Sequence, residues 1–351
     1  MNGRALLVLA AVFAPAFGQS PADSPAAVAA KARQEAIKSI EFQFTVKESV
    51  EPGAWNVHGA TRPGGGPVPE QRTTRESKNR LVISGDRIRY ENNHPILTLQ
   101  TNGWSENIEI LVSDGSRQKK YHGPVSGADR KNSYGILASP SRGMIARETR
   151  ELPMMLAARG YTGPLSLVTY SAGLKPSGDT LQVRGRKCAG YQQPSQRLTV
   201  WIDEAEGHSP RRMALVEKGA TELQIEVESG VEPSCGLVLP KSWTESHYSP
   251  AGKLRKTLAV TVNAVFVNRE YGADTFDLEF PPGIDVDDQR SATISRVQAD
   301  QSLVPLDKSG KPVGWLDRNW VWLTCVVAAC VLALVGVFGW RRAARVVRKS
   351  P

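Results

Sequence analysis

Five histidines, four cysteines and two pairs of adjacent acids are the side chains in this 351-residue sequence best suited to ligate a metal, move a proton or attack a carbon. The histidines, His58, His94, His122, His208 and His247, are scattered, and none lies three or four residues from another. That spacing builds no zinc site, and each reads as a surface or turn histidine. Asp203-Glu204 and Asp287-Asp288 are adjacent in sequence, which reads as solvated turns and not as a general acid facing a general base. No G-x-S-x-G, Walker-type loop, H-E-x-x-H or EF-hand spacing occurs. The expectation is a protein that is not an enzyme, with no catalytic residue, no metal and no cofactor. Cys188 and Cys235 are 47 residues apart. In an oxidising compartment they either close a disulfide contributing ~3–4 kcal/mol or sit as two separately buried thiols. No CxxC is present, so redox catalysis has no support.

What the sequence offers instead is patterned apolar surface. Glu41 to Lys47 alternates strictly, placing Phe42, Phe44 and Val46 on one face of a half-buried strand. Hairpin grammar follows. Arg80 to Ile83 and Arg87 to Tyr90 flank Ser84-Gly85-Asp86, and Ile108 to Val112 meets Arg117 to Tyr121 across Asp114-Gly115. Further strands are expected over Thr180–Gly185, Gln196–Ile202, Arg212–Glu217, Glu222–Val227, Leu237–His247 and Leu254–Val267. Helical patterns occupy Pro21 to Ile40, with Val28, Ala36, Ile37 and Ile40 approximating one face, and Pro140 to Gly160, which carries Met154 and Met155. Nine or ten strands with two helical stretches cannot alternate into a parallel α/β fold. The fold class expected is α+β: one large, strongly curved antiparallel sheet whose apolar face is covered by helices.

The concave side of such a sheet is filled by its own helices or by a ligand. Candidate cavity residues are Phe42, Phe44, Val46, Leu81, Ile83, Ile88, Tyr90, Met154 and Met155. Methionine suits varied apolar ligands, and it packs a core equally well.

The termini set the topology. Residues 1–18 read as a signal peptide, with Arg4, an apolar run from Ala5 to Phe17, and small residues at Ala16 and Gly18. Trp320 to Trp340 is 21 residues without a charge, long enough to cross a ~30 Å hydrocarbon core, with tryptophans at both ends. Arg341, Arg342, Arg345, Arg348 and Lys349 follow, placing residues 341–351 in the cytoplasm. Cys325, Ala329, Ala333 and Gly336 form a small-residue stripe along this span. Of the net charge of +9, the stretch from 19 to 319 carries 38 basic residues against 35 acidic, a balance that gives little reason to look for nucleic acid. The divisions expected are an extracytoplasmic domain over 19–283, a membrane-proximal linker over 284–319, a transmembrane helix over 320–340 and a basic tail. A long Gly- and Pro-rich loop is expected from Pro52 to Glu70.

The order of these elements resembles the bacterial lipoprotein-sorting superfamily, the LolA/LolB-like fold that also includes the periplasmic regulator RseB. The resemblance lies in the helix running into Ser39-Ile40-Glu41-Phe42-Gln43-Phe44-Thr45-Val46, the paired strands Asn79 to Ile83 and Asp86 to Tyr90, and Val112-Ser113-Asp114-Gly115 before a lysine-rich strand ending at Tyr121. It continues through Leu198-Thr199-Val200-Trp201-Ile202-Asp203 with Gly207, Pro210 and Arg211, and closes at Phe276-Asp277-Leu278-Glu279-Phe280-Pro281-Pro282-Gly283. It implies an incomplete β-barrel with a helical lid over an apolar cavity that receives lipid or lipoprotein acyl chains. A tethered version would sit in the bacterial cell membrane by one span, its N-terminal domain periplasmic. The alternative implied by RseB is an envelope-stress sensor acting through an envelope protein partner.

Overall fold

The computed structural model describes residues 25–52, 71–98, 103–124, 133–139, 154, 174–193, 198–217, 219–307, 309–313, 320 and 322–332. The alternating segment around Phe42 lies in β1 (Ser39–Val50), which pairs antiparallel with β2 (Thr73–Ser84) on one side and β13 (Leu254–Val267) on the other. From β2 the chain winds outward through β3 (Arg87–Thr98), β4 (Gly103–Ser113), β5 (Gln118–Pro124) and β6 (Tyr134–Ala138). On the other flank β7 (Lys175–Val183), β8 (Arg186–Gln193), β9 (Leu198–Asp203), β10 (Ser209–Glu217), β11 (Ala220–Val231) and β12 (Val238–Tyr248) meander back to β13. The chain then crosses to the far edge, where β14 (Asp285–Asp288) pairs parallel with β6, followed by β15 (Thr293–Val297) and β16 (Leu303–Pro305).

The result is one sixteen-stranded sheet running β16-β15-β14-β6-β5-β4-β3-β2-β1-β13-β12-β11-β10-β9-β8-β7, with its ends unjoined. Laid flat it would be roughly 70 Å wide at ~4.8 Å per strand. Leu111 on β4 and Tyr191 on β8, with eight strands between them, nonetheless share one buried cluster, so the sheet is strongly curved. Turn chemistry fixes the register of its longer hairpins. Asp114 Oδ1 accepts from the N–H groups of Ser116 and Arg117. Against burial, which alone would raise it, these bonds and the Ser116 and Arg117 side chains hold the Asp114 carboxyl at about 2. Gly115 has φ +90°, and a Cβ there would strike Asp86 Oδ2 at 2.5 Å.

Alternation divides the apolar residues between two cores. The inner face carries Ile40, Phe42, Phe44, Leu81, Ile83, Ile88 and Tyr90, with Val200, Met213, Ile225, Trp243 and Val260 from the opposite flank. The outer face carries Val82, Val112, Tyr121, Leu137 and Val286, covered by Phe276, Leu278 and Phe280 from the segment that follows β13. That segment, residues 268–284, is a strap across the outer face. Arg89 donates to the carbonyls of Thr275 and Asp277, each at 3.1 Å. Lys119 Nζ donates to the Asp277 carboxylate at 2.6 Å and to the Leu278 carbonyl at 2.9 Å. The Arg87 guanidinium lies 4.6 Å from the centre of the Phe276 ring.

The strap is also tied to Glu41, which is 1% exposed and accepts from Arg80 (2.9 and 3.1 Å), Gln43 (2.8 Å) and Tyr271 (3.0 Å). Burial alone would raise its carboxyl, but the bonds from Arg80, Gln43 and Tyr271 outweigh it and hold it below the ordinary value of 4.5. A carboxyl depressed on folding contributes stability above its unfolded value and loses it as pH falls through the folded one. The Arg80 side chain is 35% exposed, which discounts the pair. Glu41→Gln is therefore expected to lower stability by about 1–2 kcal/mol near neutral pH, with the gap to wild type closing in acid. Urea unfolding near pH 7 and near pH 3 checks this; a gap of unchanged size in acid would contradict it.

Three expectations are corrected. Residues 285–305, read as linker, hold three strands of the sheet. Ile284, Val286 and Val297 are buried, and strands of three to five residues with so few apolar anchors have no alternation to count. The strand total is sixteen among the described residues, not nine or ten. The N-terminal helix α1 (Pro25–Ala36) buries Ala26 and leaves Val28 54% exposed and Ala36 exposed, while Ile37 is buried just beyond it and Ile40 belongs to β1. Helical cover over the inner face is confined, among the described residues, to α1 and Met154. The rest of the expected 140–160 helix, the Pro52–Glu70 loop after Pro52, the 1–18 leader and the 341–351 tail lie outside the described residues. Trp320 and residues 322–332 are helical, and no helix among the described residues is long and apolar enough to cross a membrane.

Candidate ligand-binding site

Eight of the nine cavity candidates come together in the inner core: Phe42, Phe44, Val46, Leu81, Ile83, Ile88, Tyr90 and Met154, none more than 4% exposed. Met155 lies outside the described residues. Register explains the convergence, because Phe42 pairs with Leu81, Leu81 with Tyr90 and Tyr90 with Leu111, laying one apolar row across four strands. Phe44 meets Trp243, two strands away on β12, with ring centres 6.1 Å apart. These side chains pack against one another, so an apolar ligand reaches this face by displacing them.

Away from the β2–β3 turn the same face changes chemistry. The next row runs Phe44, Asn79, Asn92, Glu109, His122, Tyr134, each paired directly with the one before. Beyond it Val46 pairs with Ser77, His94 with Asn107, and Glu48 with Arg75. A cleft of about 110 Å³ sits at this boundary, lined by Val46, Glu48, Arg75, Ser77, Asn92, His94 and Glu109. Its charges are paired. Arg75 Nε lies 2.5 Å from Glu48, with Lys256 at 3.7 Å from the same carboxylate, and Lys120 lies 2.7 Å from Glu109. Tyr90 donates to Asn79 Oδ1 at 3.0 Å, joining the apolar and polar zones, and Asn79 donates to Ser77 Oγ at 3.0 Å. Asn92 is 7% exposed, and its Oδ1 finds no hydrogen-bond partner among the described residues.

The histidines depart from the surface-or-turn expectation. His94 and His122 face each other with ring centres 5.9 Å apart, and His122 stacks on Tyr134 at 5.2 Å. Burial lowers the His122 pKa, with His94 and Lys120 adding to the effect and Glu109 opposing it, so the ring is neutral near pH 7. His247 contacts Glu245 within β12. His208 does sit in a turn, at φ 55°, and His58 lies outside the described residues. Among the described residues no group of three or more His, Cys, Asp or Glu is placed to hold a metal ion.

Cys188 and Cys235 are free thiols and form no disulfide. Cys188 alternates with Ala189 and Tyr191 and so faces away from the inner core, against which Cys235 packs. Burial, and then Asp203, push the Cys188 thiol up, leaving it a poor nucleophile. Asp203 is no solvated turn residue: it is 1% exposed, with Arg211 at 3.7 Å. Neighbouring Glu204 accepts from Tyr191 at 2.6 Å. Burial, with that carboxylate, pushes the Tyr191 phenol up to about 12. Asp288 does lie at a turn, where Arg290 holds its carboxyl at about 2.

No family model matches the chain, and no curated protein matches it. Among solved structures, it is similar to a domain from Vibrio parahaemolyticus described as an outer membrane lipoprotein-sorting protein. That similarity has a TM-score of 0.41 and 10% identity over 72% of this chain and 95% of the other. A second similarity is to MucB in complex with MucA, with a TM-score of 0.17 and 10% identity over 72% of this chain and 59% of the other. At these scores neither bears on what this chain does, which rests on its own geometry.

The polar half of the site went unread in the sequence. Arg75, Ser77 and Asn79 keep the parity of Leu81 and Ile83 along β2, and Asn92 and His94 keep that of Ile88 and Tyr90 along β3. Parity places such residues on the inner face once a strand is extended past its apolar stretch. Their convergence on Glu48 and Glu109 needs the register of four strands.

Proposed function

We propose that the chain is a membrane-tethered, extracytoplasmic module that binds acyl chains of lipid or lipoprotein and catalyses no reaction. The observation that carries this reading is the division of one curved sheet face into a deep apolar zone and a polar zone, with a cleft at their boundary. A ligand with a long apolar part and a compact polar end matches that division. Each methylene transferred to the apolar zone contributes ~0.8 kcal/mol, set against the side-chain packing it displaces.

The tether is supported by the helical residues 322–332. Trp322 is 66%, Val327 55% and Leu332 72% exposed, an apolar helix uncovered by protein. The Thr324 hydroxyl donates to the Trp320 carbonyl, satisfying a polar group within the apolar run. The uncharged sequence through Trp340 and the basic residues after it orient the span with the sheet domain outside the cytoplasm.

A second reading, a regulator acting through protein contacts, is favoured by the close packing of the inner face. The two separate on a binding measurement. Full-length protein in a non-ionic detergent is expected to bind a fluorescent fatty-acid analogue saturably in the micromolar range. Val46→Phe, which overfills the boundary, is expected to weaken that binding about tenfold. Absence of saturable binding by the wild type would contradict the acyl-chain reading and leave the regulatory one.

A further inference from the structure

We infer that the cleft between Val46 and Glu109 selects the polar head of the ligand, and that this head is zwitterionic with a primary ammonium, as in phosphoethanolamine. This rests on the acyl-chain reading above and adds to it the head-group class.

Three features converge. First, the lining carries both signs of charge: Arg75 against the carboxylates of Glu48 and Glu109. Lys256 lies 3.7 Å from Glu48 and Lys120 2.7 Å from Glu109, so three cations stand against two carboxylates and neither sign is left alone. An anionic head gains from Arg75 and is opposed by Glu48 and Glu109, and a cationic head meets the converse. A zwitterion satisfies both walls.

Second, the Asn92 amide oxygen is a buried acceptor in the lining with no partner among the described residues. A buried acceptor of this kind calls for an N–H or O–H donor. Asn92 and Glu109 are direct neighbours across β3 and β4. They put a neutral and a charged acceptor side by side, a surface for the several N–H donors of a primary ammonium. A trimethylammonium offers no N–H and leaves Asn92 as it is.

Third, the scale fits. Arg75 lies four residues along β2 from Asn79, the cross-strand partner of Asn92, roughly 13 Å of strand, and both line the one cleft. An ammonium held at the Asn92 and Glu109 wall leaves its oxyanion to face the Arg75 end of that cleft. The cleft of about 110 Å³ corresponds to the liquid volume of roughly three or four waters, room for a small head and not for a sugar chain. Val46, with one side in the cleft and the other in the apolar cluster, marks where head and chain would join.

The test is calorimetric titration of the full-length protein with dihexanoyl lipids bearing phosphoethanolamine, phosphocholine or phosphoglycerol heads, and separately with free O-phosphoethanolamine. The expected result is a preference of about tenfold for the ethanolamine lipid over both others. Asn92→Leu is expected to reduce the preference over choline to about twofold, with weak choline-lipid binding retained. Glu109→Gln, which keeps the shape of the wall, reads the same loss should Asn92→Leu fail to fold. Equal affinity for ethanolamine and choline lipids overturns the head-group assignment and leaves the acyl-chain reading standing. A full preference retained in a folded Asn92→Leu and in Glu109→Gln overturns the cleft as its source. Binding of free phosphoethanolamine as tight as that of its lipid supports the cleft and overturns the acyl-chain reading. Binding of none of these ligands overturns both.

Discussion

Replacing Phe44 by alanine is expected to destabilise the protein by about 3–5 kcal/mol and to make it responsive to added fatty acid. Phe44 is 1% exposed on β1, at the point where the inner face passes from apolar to polar, and its ring meets that of Trp243. Truncation removes the transfer free energy of the ring and leaves a space that the surrounding strands fill only in part, since both β2 and β13 are held to β1 by backbone pairing. The void lies beside Trp243 and Val262, with the buried Asn79 amide at its edge, so hydrocarbon fits its larger apolar side. Unfolding in urea, with and without a medium-chain fatty acid, measures both effects. The acid is expected to restore up to about 2.7 kcal/mol at a hundredfold excess over its dissociation constant. A loss of less than about 1 kcal/mol would show that Phe44 is not in the packed interior. A full loss that the acid does not relieve would show that the face rejects acyl chains.

The second large effect is expected on the other face. Phe280→Ala should cost about 3–5 kcal/mol, but its consequence should be local. Phe280 lies against Gly135 of β6, where even a Cβ would meet its Cε1 at 2.8 Å, and it closes the cluster with Val286 and Leu137. The strap that carries Phe280 delivers β14 to β6; β15 pairs with β14 and with the end of the strap, through Gly283 and Ile284 to Val297, and β16 pairs with β15. Loosening the strap should therefore raise amide exchange in 285–305 and in β6 well before it does so in β9–β11, which belong to the inner core on the opposite flank. Exchange that rises equally in both regions would mean that the strap is not a separable unit.

What could be read from the sequence follows from which signals are local. Alternation at Phe42, Phe44 and Val46 places β1, and the turn residues Gly85 and Asp114-Gly115 place the hairpins on either side of β3 and β4. Those elements carry most of the apolar candidates, and the structure brings eight of the nine into one cluster. What escaped is what depends on partners distant in sequence. β8 carries Gly190, where a Cβ would strike Ser177 Oγ at 2.5 Å, and its Ala189 and Tyr191 make too short a pattern to mark a strand. β14 to β16 are defined by pairing with β6 and with one another, and read as linker because they are brief and polar. His94 and His122 look solitary at 28 positions apart, and only the β3–β4–β5 register makes them neighbours. Asp203 looks like half of a turn and is buried because Arg211 arrives beside it on β10.

Whether the inner face holds an acyl chain is decided by native mass spectrometry of the full-length protein released from membranes in a mild detergent. The expected spectrum contains a population heavier than the polypeptide by the mass of one acyl lipid, which Val46→Phe reduces. A spectrum of bare polypeptide alone, unchanged after incubation with excess phosphoethanolamine lipid, would contradict it.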